Sequence, residues 1–140
     1  MLALEQMIQD TRSIRLMVRV SFLPEPTAAG NFKVMLSSFI QQSHLKPEVQ
    51  ETFQNASYEG LDWCVEVAGR LDLGMVDVSY TETTEGISVR LEGADNIFAT
   101  AGLPPEEERA AQFRMTVIKH GVDDVQISDD GRSLTLLKKP

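Results

Sequence analysis

The sequence predicts an α+β two-layer sandwich, a mostly antiparallel sheet with three main helices on one face. Three observations lead there. Runs of alternating apolar and polar residues come in neighbouring pairs, around residues 76–80 with 87–91 and around 125–127 with 134–137, as antiparallel strands paired locally require. Three other stretches repeat apolar residues at the three-four spacing of a buried helix face. With 140 residues, 42% of them hydrophobic, the chain can remove roughly 68–70% of its unfolded surface from water and build a core without staples. The single cysteine, Cys64, excludes an internal disulfide.

Taken in order, residues 1–12 read as an N-terminal helical extension, with Leu4, Met7 and Ile8 at helical spacing, and residues 13–140 as one domain. Ile14, Leu16, Val18, Val20 and Phe22 alternate with Arg15, Met17, Arg19 and Ser21, a first strand with one buried face. Leu23-Pro24-Glu25-Pro26 breaks it, and Phe32, Met35, Leu36, Phe39 and Ile40 then form the face of a first helix. A second break at residues 43–47 puts Pro47 in the first turn of the next helix, where its missing N–H is no loss. There Val49, Phe53, Ala56, Gly60, Trp63 or Cys64, and Val67 make one stripe over about five turns, which marks the central core helix.

Gly74 precedes Val76, Val78 and Tyr80, a polar turn is expected over residues 81–86, and Ile87, Val89 and Leu91 return as the partner strand. Residues 92–105, with Gly93, Asp95, Asn96, Gly102 and two prolines, read as a long loop, a kind of segment that often carries function. Pro104-Pro105-Glu106-Glu107-Glu108 opens the third helix with acidic residues where the macrodipole favours them. Ala110, Phe113, Val117 and Ile118 are expected to be its buried face, and His120-Gly121 its end. Val122, Val125 and Ile127, then Asp130-Gly131, then Leu134, Leu136 and Leu137 form a closing hairpin.

Composition excludes several functions. With 21 acidic against 13 basic side chains and a net charge of -8, the chain repels phosphate backbones and anionic lipid, so neither nucleic acid nor membrane is an expected partner. No run approaches the roughly 18–20 apolar residues that span a bilayer, and residues 1–10 lack the order of a signal peptide. A cytoplasmic setting is expected. His44 and His120 are expected at helix ends, near the last carbonyls, and no second His or Cys stands at metal-ligand spacing. No metal site is therefore expected. Cys64, on or beside the apolar stripe, reads as an inert core thiol, and Ser57 and Ser79 lack a nucleophile elbow.

Two stretches carry a likeness to a known family. Ser38-Phe39-Ile40 ends the first helix on an apolar motif at a suitable distance from Glu59. Met115-Thr116-Val117-Ile118-Lys119-His120-Gly121-Val122-Asp123-Asp124-Val125 gives a helix followed by an acidic-acidic-valine strand start, with Leu134-Thr135-Leu136 in the last strand. With the element order, these residues resemble the bacterial anti-sigma-factor serine kinases of the GHKL (Bergerat) ATPase superfamily. The resemblance implies a GHKL ATPase-like fold, Mg-ATP as cofactor, and a protein partner of the STAS anti-anti-sigma or sigma-factor type. It also implies a possible homodimer through the first strand and sheet edge.

The family's chemistry needs three boxes. In the first, a Glu followed four residues later by Asn shares a helix face, the carboxylate acting as base and the carboxamide oxygen ligating Mg²⁺. Glu51 and Asn55 fit the letters, whereas the spacing selects Glu59 and puts Trp63 at the Asn position; an indole has one donor and no oxygen. In the second box an Asp precedes Gly by two residues to read adenine, and here Glu92-Gly93-Ala94-Asp95 reverses the order. The third box is a glycine-rich cradle for phosphates. The matching Arg109-Ala110-Ala111-Gln112-Phe113-Arg114 has no glycine, although Arg109 or Arg114 could meet an anion.

Three altered boxes imply a regulatory protein-binding domain with its ATP site lost, and so no catalytic residue and no cofactor. The alternative is an active serine kinase, with Glu51 or Glu59 as base, Asn55 on Mg²⁺, and Glu92, Gly93, Asp95, Arg109 and Arg114 around Mg-ATP. A plain α+β interaction domain outside the family is a third reading.

Overall fold

The computed structural model describes residues 14–140, so the extension expected over residues 1–12 lies outside the described residues. The order is β1 (Ile14–Phe22), α1 (Pro26–Gln41), α2 (Pro47–Arg70), β2 (Val76–Thr83), β3 (Gly86–Glu92), α3 (Pro105–His120), β4 (Asp124–Ile127) and β5 (Ser133–Lys138). All five strands join one antiparallel sheet in the order β1-β2-β3-β5-β4. The expected α+β sandwich is therefore the observed architecture.

Register decides which side chains meet the helices. Val18 lies opposite Tyr80 and Val20 opposite Val78, while Val78 faces Leu91 and Leu91 faces Leu134. These rows share one side of the pleat, where successive residues point alternately in and out, and in β2, β3 and β5 they are fully buried. The opposite side carries Arg19, Asp77, Ser79, Arg90 and Glu92 and faces water.

Helix α2 lies over the middle of the buried side, flanked by α1 and α3. It can approach closely because of Gly60: a Cβ there would stand 2.8 Å from Leu91 Cδ1 and 3.3 Å from Leu134 Cδ2. Each helix begins with proline at its first position, as the sequence predicts for α2 and α3; Pro26, read as part of a break, is the first residue of α1. Both Trp63 and Cys64 are buried, because α2 has neighbours on more than one side and its buried surface is wider than a single stripe.

Four expectations need correction. Residues 81–83 belong to β2 rather than to the turn, which shrinks to Thr84-Glu85, and this sends Glu82 into the core side of the sheet. The buried face of α3 is Ala111 and Ile118, with Met115 half-buried, so Ala110 is exposed and Phe113 is 69% exposed. The β1 face is only half-buried, since among the described residues β1 is a sheet edge with one neighbouring strand. Met35, assigned to the buried face of α1, is exposed, and the core takes Ala29, Phe32, Leu36 and Ile40. Among the described residues no helix is long and apolar enough to cross a membrane.

Candidate functional site

The C-terminal half of α2, the loop after β3 and the first half of α3 converge on one cavity of about 320 Å³. The sequence builds it in steps. The loop leaves β3 at Gly93, whose N–H donates to the Arg132 carbonyl at 2.9 Å, and whose missing Cβ makes room for Ile97. Phe98 N–H then donates to the Gly131 carbonyl at 2.9 Å, so the loop is tied twice to the β4–β5 turn. Gly131 sits at φ +71°, a conformation that disfavours any side chain. A Cβ there would also stand 3.0 Å from that of Ala99.

These ties hold Phe98 against Trp63. The ring centroids are 5.1 Å apart with planes at 89°, an edge-to-face pair, and Trp63 is only 5% exposed. Trp63, Val67, Ile97, Leu103 and Ala111 supply the apolar wall of the cavity, and Glu66, Arg70, Asn96, Glu107 and Arg114 supply its polar groups. Arg114 reaches from α3 across to α2, where Nη2 donates to Glu66 and Nε lies 3.9 Å from Glu59. Its Nη1 is buried without a hydrogen-bond partner among the described residues. Glu66 and Arg114 also border a second cavity of about 580 Å³ between α1 and α2, beside the Lys33–Asp62 ion pair at 2.6 Å.

The residues picked from the sequence fall in different places. Glu51 and Asn55 are exposed and line neither cavity. Glu59 is half-buried beside Arg114. Glu92 is on the solvent side of the sheet, 3.0 Å from Arg90, and so on the far side from the cavity. Gly93 is buried at the root of the loop, and Asp95 is exposed and accepts the Asn96 N–H at 2.8 Å. Arg109 is exposed and outside the cavity wall, whereas Arg114 is part of it.

A second cluster went unnoticed in the sequence. Inward-facing Glu82 accepts a hydrogen bond from the Tyr80 hydroxyl at 3.3 Å, and its other oxygen is 3.5 Å from both Arg15 and His44. His44, expected to meet helix carbonyls, instead turns its Nδ1 towards this carboxylate. Burial, and then the Glu82 charge, push the Tyr80 phenol above its ordinary pKa. The available signal was strict alternation: Glu82 continues the parity of Val76, Val78 and Tyr80.

Cys64 is buried, and desolvation pushes its thiol up to about 12, so at neutral pH it stays protonated and unreactive. Ser57 donates to the Phe53 carbonyl at 2.9 Å within α2, a structural bond. His120 is exposed at the end of α3. Among the described residues no group of three or more His, Cys, Asp or Glu could hold a metal ion.

No family model and no curated protein matches the chain.

Proposed function

We propose that this chain is a regulatory protein-binding domain of the anti-sigma-kinase-like type whose nucleotide position is occupied by its own side chains. It acts in the cytoplasm through protein contacts, in transcriptional or stress regulation. The observation that carries the reading is the Trp63–Phe98 pair. In the register that the spacing selects, Trp63 replaces the Mg²⁺-ligating Asn with a group that has no oxygen to offer. Its buried ring fills space between α2 and the loop.

The neighbouring residues add to this. Glu59, the base of that register, stands beside the Arg114 guanidinium. The other register, Glu51 with Asn55, lies on an exposed surface away from the cavity, which counts against the Mg-ATP kinase alternative. At the start of α3 the wall presents the Glu107 carboxylate and the Ala110 side chain in place of bare glycine N–H groups. A carboxylate there repels phosphate.

The partner class is a STAS anti-anti-sigma protein or a sigma factor. A homodimer through the edge of β1, which has no further strand beside it among the described residues, fits the half-buried apolar row on that strand. Calorimetric titration of Mg-ATP and Mg-ADP to millimolar nucleotide, with Trp63 fluorescence followed in parallel, tests the reading. The expected result is no heat and an unmoved, blue-shifted emission. Saturable micromolar binding overturns it and makes a kinase assay on candidate partners the next step.

A further inference from the structure

The cavity between α2, the loop and α3 has charged groups that its own walls leave unmatched among the described residues. Four charged residues line it. Glu66 and Arg114 pair with each other. Arg70, in the last turn of α2, and Glu107, in the first turn of α3, have no oppositely charged group within 4.0 Å among the described residues, each other included. The Asn96 side chain, at the same wall, makes no hydrogen bond among the described residues. One cavity thus presents one unpaired cation, one unpaired anion and an unused amide over a wall of Trp63, Val67, Ile97, Leu103 and Ala111.

We propose that this cavity binds a small zwitterion with an apolar tail, of the class of free aliphatic or aromatic α-amino acids. The ligand's carboxylate meets Arg70 and its ammonium meets Glu107, with Asn96 able to donate to or accept from either end. The tail rests on the Trp63 side of the cavity. A ligand with only a negative charge would face Glu66 and Glu107, and one with only a positive charge would face Arg70 and Arg114. A neutral ligand carrying both charges suits all four residues. The volume, about 320 Å³, stands at the small end of the roughly 300–1,000 Å³ of small-molecule sites. This proposal goes beyond the protein-binding reading and stands or falls separately from it.

The test uses the full chain, with L-phenylalanine and L-leucine titrated by calorimetry and Trp63 emission as a second signal. Phenylacetate and phenethylamine serve as analogues that each lack one charge. The expected result is saturable binding of at least one amino acid that shifts Trp63 emission, with both analogues roughly tenfold weaker. Arg70 and Glu107 are exposed, so Arg70→Gln and Glu107→Gln keep the fold, which circular dichroism checks. Each is expected to weaken amino-acid binding roughly tenfold, and Glu107→Gln to abolish the preference over phenylacetate.

Absence of saturable binding by either amino acid overturns the proposal. So does equal binding of both analogues, or an unchanged affinity in both variants. Displacement of a bound amino acid by Mg-ATP would sustain this site while overturning the loss of nucleotide binding proposed above, so the two failures are distinguishable.

Discussion

Just ahead of α2 the core is closed by a polar cluster, and at the C-terminal end of the helix by two aromatic rings. In the first region Tyr80, Glu82, His44 and Arg15 join β2, the α1–α2 connection and β1 through directional contacts of 3.3–3.5 Å. In the second, Trp63 and Phe98 meet edge to face, and the loop that carries Phe98 is placed by backbone bonds to the β4–β5 turn. The polar cluster specifies partners atom by atom. The aromatic pair gains from buried area plus about 0.5–1.5 kcal/mol for ring geometry. The cavity is found at the aromatic end.

The largest effect should come from the aromatic end. Trp63→Ala is expected to cost about 3–5 kcal/mol in urea unfolding, with Trp63→Phe far milder. A cost near that of an exposed substitution would mean that the indole is not packed and would break the contrast. At the polar end Glu82→Ala is expected to cost about 1–3 kcal/mol. Because Tyr80 donates to the same carboxylate, a Tyr80→Phe change should cost less in that background than in the parent protein. Strictly additive losses in the double-mutant cycle would show that the cluster is a set of independent contacts.

A pH experiment sharpens the comparison with smaller steps. Burial raises the Cys64 thiol to about 12 from its ordinary 9.0. Between those values the unfolded chain releases this proton and the native one keeps it, so stability falls as pH rises, at up to about 1.4 kcal/mol per unit. Below the lower value the contribution is constant. Cys64→Ala should remove the part of the alkaline slope of urea midpoints that begins near pH 9, and the raised Tyr80 phenol should supply the slope that remains above its ordinary value of 10.0. An alkaline slope identical in Cys64→Ala and parent would show that the thiol is not desolvated.

Much of this architecture is legible in the sequence. Proline marks the starts of α2 and α3, and period-two runs announce β2, β3 and β5 because, Glu82 apart, the inward residues are aliphatic or aromatic. The errors come where residue type and location part company. Phe113 is large and apolar yet exposed, and it drew the expected face of α3 away from Ala111. Glu82 is charged yet buried, and a polar stretch that reads as a turn is in fact the end of a strand. Of the cavity, Trp63 and Arg114 could be picked out, since each stands in a stretch that the resemblance singled out. Arg70, Asn96 and Glu107 could not, because they share a wall only after α2, the loop and α3 are packed. Pairing between Arg114 and Glu66 spans 48 positions, and no local pattern announces it.

The place of β5 in the sheet has a consequence for biosynthesis. It is inserted between β3 and β4, although it follows both in the chain. While a ribosome delivers the chain from its N-terminus, β1, β2 and β3 can pair as soon as they emerge, but the outer edge of β3 then waits unpaired through the translation of α3 and β4. Leu91, Val89 and Ile87 border that edge, on the side that later meets Leu134 and Leu136. An unpaired, apolar strand edge is a template for other chains. The nascent protein is therefore most exposed to aggregation and to chaperone capture in the interval that ends when β5 slots home.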